Sequence, residues 1–169
     1  MFGLSFRQLN WAGCLACVGL MGYALYSQYV DGLQPCPLCV FQRIAVIALG
    51  VIFFAGAVVN VKSLQRWVVA PLALIAGLAG AGVAGRHAWL QHLPPDQVPA
   101  CGPGLGHILN TFPLGEALSM VFEGSGECAN VDWSFLGLSM PMWVFAWCVV
   151  LGFGGALINF RAAGEKDNS

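Results

Sequence analysis

The stretch Cys36-Pro37-Leu38-Cys39-Val40-Phe41-Gln42-Arg43 runs straight into Ile44–Val61, 18 residues without a single Asp, Glu, Lys or Arg. A bilayer core asks for about 20 apolar residues per helix, so this segment predicts a membrane span with two cysteines and an arginine at its threshold. Three further charge-free apolar runs, Gln8–Val30, Trp67–Gly85 and Trp133–Phe160, predict three more spans. A fifth uncharged run, Gln97–Gly115, is broken by Pro99, Pro103, Pro113 and several glycines. Lipid does not tolerate unsatisfied backbone, so this run reads as loop. The expected fold is an all-α membrane protein, a four-transmembrane-helix bundle forming a single domain over residues 1–169. Its spans are expected at about 9–30, 40–61, 66–86 and 141–160.

Composition points the same way. The chain is 58% hydrophobic and 9% charged, with mean hydropathy +0.74, where soluble domains carry about 25% charged residues. That excludes a soluble domain and intrinsic disorder, and a net charge of −1 excludes a nucleic-acid partner, which needs a basic face. Arg7, Lys62, Arg66, Arg161 and Lys166 fall on one side of the predicted spans; Asp31, Asp96, Glu116, Glu123, Glu127 and Asp132 fall on the other. The positive-inside rule places both termini in the cytoplasm. Two loops then face out, a short one at about 31–39 and a long one at about 87–140. The first span reads as a retained helix, since its apolar run is too long for a cleaved leader. Phe112, Leu114, Ala117, Leu118, Val121 and Phe122 recur at near-helical spacing and predict a short amphipathic helix in the long loop. It either lies on the membrane surface or packs on the bundle. Ala76, Gly80 and Ala84, with Gly77, Ala81 and Gly85, predict close helix approach in the third span.

Topology sorts the seven cysteines. Cys14, Cys17 and Cys148 lie within spans, where a thiolate is poorly solvated, and read as small apolar filler. Cys36, Cys39, Cys101 and Cys128 lie outside the cytoplasm, where disulfides form and persist. Four cysteines allow three pairings, and residue order alone leaves them open. Cys36 and Cys39 stand before a helix N-terminus, whose dipole and free N–H groups favour a thiolate, and Arg43 follows Cys39 by one helical turn. Two disulfides at a membrane surface, one on a long loop and one against the bilayer, suit thiol–disulfide exchange between a soluble thiol and a lipid-soluble oxidant. No metal is needed.

Four helices, an outer C-x-x-C followed by Arg, a later outer cysteine pair and the run Trp133-Ser134-Phe135-Leu136-Gly137-Leu138-Ser139-Met140-Pro141-Met142-Trp143 together resemble the DsbB family of bacterial inner-membrane disulfide bond formation proteins. The resemblance implies a multi-pass protein with periplasmic loops that reoxidises a DsbA-like thioredoxin-fold oxidase and passes the electrons to ubiquinone or menaquinone. It implies that Cys101 forms the mixed disulfide with the partner and that Cys128 exchanges with the Cys36–Cys39 pair through Cys36. Cys39 then faces the quinone, with Arg43 and His87 at the quinone site. Ser134, where an acid is expected, departs from the best-known pattern. DsbA sits near −120 mV, whereas ordinary structural disulfides lie below about −300 mV. Such a partner is recharged only by unusually reducible bridges or by a quinone drawing the exchange forward.

Three other readings compete. A vitamin K epoxide reductase-type enzyme would carry its C-x-x-C after the loop pair, and here Cys36 and Cys39 precede Cys101 and Cys128. A metal-handling protein would use those four cysteines as thiolate ligands. A non-catalytic tetraspan would carry structural disulfides only.

Overall fold

The computed structural model describes residues 5–59, 61–94, 96–98, 107, 110–124, 126–131 and 133–162. Helix α1 (Phe6–Tyr29) starts on a reciprocal cap. The Ser5 hydroxyl accepts from the Gln8 N–H, and the Gln8 side chain accepts from the Ser5 N–H. Helix α2 covers Pro37–Val58. A helical turn at Lys62–Leu64 and a wider π-type turn at Gln65–Val69 lead into α3 (Ala70–Leu90). Pro71 has no N–H to continue the helical ladder, and the wide turn falls immediately before it.

The outer segment contributes α4 (Leu114–Glu123), the single turn α5 (Gly126–Ala129) and a two-stranded hairpin, β1 (Ser134–Phe135) and β2 (Leu138–Ser139). The strands pair antiparallel, Ser134 opposite Ser139 and Phe135 opposite Leu138. Leu136 and Gly137, at φ 53° and 76°, make the tight turn between them, a left-handed pair that matches strand twist. Helix α6 covers Met140–Ala162.

Among the described residues, α1, α2, the continuous segment Gln65–Leu90 and α6 are the four helices long and apolar enough to cross a membrane. Apolar side chains such as Leu15, Val18, Val51, Ile75 and Leu157 point outward, as lipid-facing positions must. Inside, packing relies on missing side chains. A Cβ on Gly77 would stand 2.5 Å from the Gly152 Cα, so α3 and α6 meet backbone to backbone. The buried stripe of α3 is Ala73, Gly77, Gly80, Ala81 and Ala84, displaced slightly from the expected Ala76, Gly80 and Ala84. Phe53 is 2% exposed and fills the space left by Gly13 on α1 and Gly155 on α6. Cys17 and Cys148 belong to this apolar cluster, with Cys14 packed against it.

Buried amides tie the other end of the bundle. Asn10 and Asn159 exchange two hydrogen bonds at 2.9 and 3.1 Å, and each also donates to a carbonyl of its own helix, Phe6 and Gly155. Gln65 donates to the carbonyls of Gly56 and Val59, closing the α2 C-terminus. Interhelical hydrogen bonds of this kind contribute about 0.6–1.7 kcal/mol each and fix the register of α1 against α6.

Helix α1 begins at Phe6 rather than near residue 9, where Ser5 caps it, and α2 ends at Val58 rather than near residue 61; two boundaries beside the cysteines differ as well. Helix α2 begins at Pro37 rather than near residue 40, because proline fits the first helical position and the Cys36 sulfur caps the turn. Cys39 therefore lies in the helix, not in the short outer loop. Helix α3 continues to Leu90 rather than stopping near residue 86, since His87 and Leu90 are buried against other elements. The short loop-borne helix expected from periodicity is α4. It packs on the bundle through Val121, which is buried, and through Phe122 against Phe41 with ring centroids 6.3 Å apart.

Substituting Gly77→Leu is expected to destabilise the bundle by at least the about 1–3 kcal/mol of ordinary overpacking. Gly19→Leu, where an added Cβ meets nothing within 4 Å, is the control. Thermal unfolding of both in detergent checks this, and equal melting temperatures would refute the close approach of α3 and α6.

Candidate functional site

The site is assembled at the head of α2. Cys36 is the N-cap of that helix, with extended backbone (φ −68°, ψ 164°), and its sulfur accepts the Cys39 N–H at 3.3 Å. Pro37 at the first helical position carries no N–H to satisfy. One helical turn brings the Cys39 Sγ to 2.9 Å from the Cys36 Sγ. His87, buried near the end of α3, faces both: its Nε2 lies 3.8 Å from the Cys36 Sγ and its Nδ1 4.0 Å from the Cys39 Sγ. The Gln42 amide donates to the His87 Nδ1 at 2.8 Å, which assigns the ring proton to Nε2 and directs it at Cys36.

Cys128, fully buried on α5, completes the cluster. Its sulfur, the Cys36 sulfur and a His87 ring nitrogen all lie within 4.8 Å of one another. Arg86 holds the outer segment in place by donating to the carbonyls of Phe122 and Glu123 at the end of α4, with its guanidinium 4.4 Å over Trp89. Gly124 then turns the chain at φ 90° into α5, where a Cβ would strike Leu90 at 2.5 Å. Gln91 donates to the Asn130 carbonyl just beyond Cys128. Arg86 and Leu90 of α3 and its C-cap Gln91 thus seat Cys128 on the cysteine pair of α2.

These surroundings alter the expectation for Cys36. Its hydrogen bond to Cys128, its hydrogen bond to Cys39 and burial push its thiol well above the ordinary cysteine range, in that order of importance. The helix end favours a thiolate there, but two neighbouring thiols and loss of water outweigh it.

Beside the cysteines lies a cavity of about 320 Å³. Cys36, Cys39, Gln42, Arg43 and His87 line its polar side, and Trp133, Phe135, Trp143 and Trp147 its apolar side. The hairpin, the Trp133 before it and the first turns of α6 form that apolar wall: Trp133 stacks on Phe135, Phe135 packs on Trp143, and the Trp143 indole N–H donates to the Phe135 carbonyl at 3.1 Å. Arg43 reaches across to α1, donating to Gln28 Oε1 and to the Ala24 carbonyl. The Ser27 hydroxyl in the same wall is buried and, among the described residues, has no hydrogen-bond partner.

The structure therefore brings together Cys36, Cys39, Cys128, Arg43 and His87. Cys101, expected to pair with Cys128, lies outside the described residues. Gln42, Ser27, Gln28 and Trp147 were not singled out from sequence, and Trp133, Phe135 and Trp143 entered only within the run that carries the family resemblance, with no part in the site. Gln42 carried one available signal, its position three residues after Cys39 on the helix.

Over residues 6–158 the chain matches the family model described as disulfide bond formation protein DsbB. Among similar proteins, each named disulfide bond formation protein B, that of Nitrosococcus oceani is 50% identical over 149 residues, 88% of each chain. The Saccharophagus degradans protein is 52% identical over 141 residues, covering 83% of this chain and 85% of the relative. The Xanthomonas euvesicatoria protein is 44% identical over 162 residues, 95% and 94% of the two chains.

The raised Cys36 pKa fixes a pH dependence for the fully reduced protein. Below about pH 8.5, where an unfolded cysteine holds its proton, Cys36 costs nothing to bury. Above it the unfolded chain releases that proton and the folded one does not, so stability falls as pH rises, by up to about 1.4 kcal/mol per pH unit. Denaturant unfolding from pH 7 to 10 is expected to show this slope flattened in Cys36→Ser, which retains a capping side chain.

Proposed function

The chain belongs to the DsbB family of disulfide bond formation proteins, and we propose that it reoxidises a DsbA-like thioredoxin-fold partner and delivers the electrons to membrane quinone. It is a multi-pass membrane protein with four spans. The proposed setting is the bacterial inner membrane with both termini cytoplasmic, supported by the five basic residues on the side of the termini. The observation that carries the reading is the burial of Cys128 against Cys36, with the Cys36–Cys39 pair forming one wall of a largely apolar cavity.

The exchange balances at each bond. In the oxidised protein the proposed disulfides are Cys101–Cys128 and Cys36–Cys39. A partner thiolate attacks Cys101, forms a mixed disulfide and releases Cys128 as a thiolate. Cys128 attacks the Cys36 sulfur; a Cys128–Cys36 bond forms, the Cys36–Cys39 bond breaks, and Cys39 leaves with the electron pair. The second partner thiol then attacks the mixed disulfide, releasing Cys101 as a thiolate, and the partner departs oxidised. Cys101 attacks Cys128; the Cys101–Cys128 bond re-forms, the Cys128–Cys36 bond breaks, and the two electrons rest on Cys36 and Cys39 beside the cavity. His87 holds its Nε2 proton toward Cys36, and Cys39 carries the displaced charge in the first turn of α2, at the positive end of the helix.

The cavity suits a quinone head. Its aromatic wall fits a flat apolar ring, and the Arg43 guanidinium and the Ser27 hydroxyl, which has no partner among the described residues, offer donors to carbonyl oxygens. When bound, quinone supplies a two-electron, two-proton acceptor. Gln28 and the Ala24 carbonyl hold Arg43 in the wall, so that its charge is positioned before a ligand enters.

Arg43→Ala is expected to raise the apparent KM for quinone at least tenfold, and Ser27→Ala to raise it by a smaller factor. The rate of exchange with reduced partner should stay near that of the parent. Stopped-flow measurement of the two half-reactions checks this; unchanged quinone dependence in both variants removes the cavity from the reaction. Alkylation gel shifts of reduced protein, before and after quinone is added, test the relay itself. Thiols that stay reduced while quinone remains unconsumed would leave a structural tetraspan.

A further inference from the structure

The cluster that suits sulfur exchange also has the donor set of a metal site when its disulfides are open. The Cys36 sulfur, the Cys128 sulfur and a His87 nitrogen lie within 4.8 Å of one another, all three residues buried, and the Cys36–His87 Nε2 separation is 3.8 Å. Tetrahedral zinc, with bonds of about 2.3 Å to sulfur and about 2.0–2.1 Å to nitrogen, sets its ligands about 3.5–3.8 Å apart. Small side-chain rotations cover the difference. We propose that the fully reduced protein binds one thiophilic divalent cation, with Zn²⁺ as the physiological candidate, through Cys36, Cys128 and His87, and that the bound ion holds the cysteines out of the relay.

Charge supports this set over a four-thiolate one. Two thiolates and one neutral imidazole around Zn²⁺ make a neutral centre, which a buried position at the bilayer edge accepts, whereas four thiolates leave two negative charges there. Binding releases two protons to solvent and involves no change of oxidation state. The fourth position opens toward Cys39, whose sulfur stands 2.9 Å from Cys36. His87 has a supporting partner as well. Metal on Nε2 requires the ring proton on Nδ1, where Gln42 now donates; turning the Gln42 amide over presents its oxygen to accept that proton.

Selectivity for redox state follows from the ligands. A Cys36–Cys39 or Cys101–Cys128 disulfide removes a thiolate from the site, so the oxidised protein lacks the donors. The proposal needs the cysteine cluster but neither quinone nor partner, and its failure leaves the relay intact.

The test uses the full-length protein in detergent, fully reduced or oxidised, dialysed against Zn²⁺ and titrated with Cd²⁺ as a spectroscopic probe. Reduced protein is expected to retain one Zn²⁺ per chain and to develop sulfur-to-cadmium charge-transfer absorption, and oxidised protein to do neither. Cys128→Ser and His87→Gln should lose the ion, Gln42→Leu should bind about 10- to 100-fold more weakly, and Cys101→Ser should bind as the parent does. Each variant is compared at a monodisperse elution position, so that loss of the fold is read separately. Equal binding by oxidised protein, retention by either Cys128→Ser or His87→Gln, or loss in Cys101→Ser overturns the assignment.

Discussion

A helix that enters a membrane must satisfy its first N–H groups at the water boundary, and α2 does so with a sulfur. Cys36 caps the helix, takes the Cys39 N–H and, by its extended backbone, ends the outer loop. Because a cap is tied to the helix it caps, this sulfur is held relative to α2 and cannot swing away with the loop. The other parts of the site are then arranged around a fixed point. His87 comes from α3, Cys128 from α5, and the aromatic wall from the hairpin region together with the start of α6. A free C-x-x-C on a mobile loop would have no such reference, and neither sulfur could face a cavity and an incoming thiol at once.

That fixed point depends in turn on how the spans are locked. The bundle has small residues where α3 crosses α6, with Gly77 against Gly152, and buried amides between Asn10 and Asn159 where α1 meets α6. Lipid gives apolar helices little reason to prefer one another, so close backbone contact and interhelical hydrogen bonds must set register. Gln65 performs the equivalent task for the α2 C-terminus. Polar locks at the end away from the cysteines leave the cysteine end free to be built from functional groups, including the Ser27 hydroxyl, which has no partner among the described residues. A buried polar atom without a partner is costly in a static core and reasonable in a wall that receives a ligand.

Much of this was legible in the sequence, and what was not follows a physical line. Spans leave a local signal, a long run without charge, and all four were readable. Cys36, Cys39 and Arg43 share one helix start, so their grouping was readable too. His87 stood out only through family resemblance, because its relation to Cys36 depends on the rotation of α3 against α2 and not on any spacing along the chain. The same holds for Cys128, whose approach to Cys36 rests on Arg86, Gln91 and Gly124 at distant positions. Gln28, Ser27 and the aromatic wall belong to the same class. The early start of α2 was missed for the opposite reason: Pro37 is itself a local signal for a first helical position, but a charge count does not register it.

The position of Cys128 also bears on how one site would serve the two proposed chemistries, which oppose each other. Exchange needs the attacking sulfur close to Cys36 and water kept from the new thiolate; burial beside His87 meets both conditions. Those conditions also describe a soft-metal site, since a cation gains most where its ligands are close, desolvated and already oriented. An enzyme that gathers thiols tightly enough to pass electrons among them therefore exposes itself to thiophilic ions whenever every thiol is reduced at once. Oxidation state is the natural protection. A resting protein that keeps its disulfides closed would offer no pair of thiolates beside His87, and in the proposed relay reoxidation by quinone would shorten the interval in which such a pair exists. In the proposed relay, the cavity beside Cys39 and the closeness of Cys128 to Cys36 are two parts of one requirement, that electrons leave the cluster as fast as the partner delivers them.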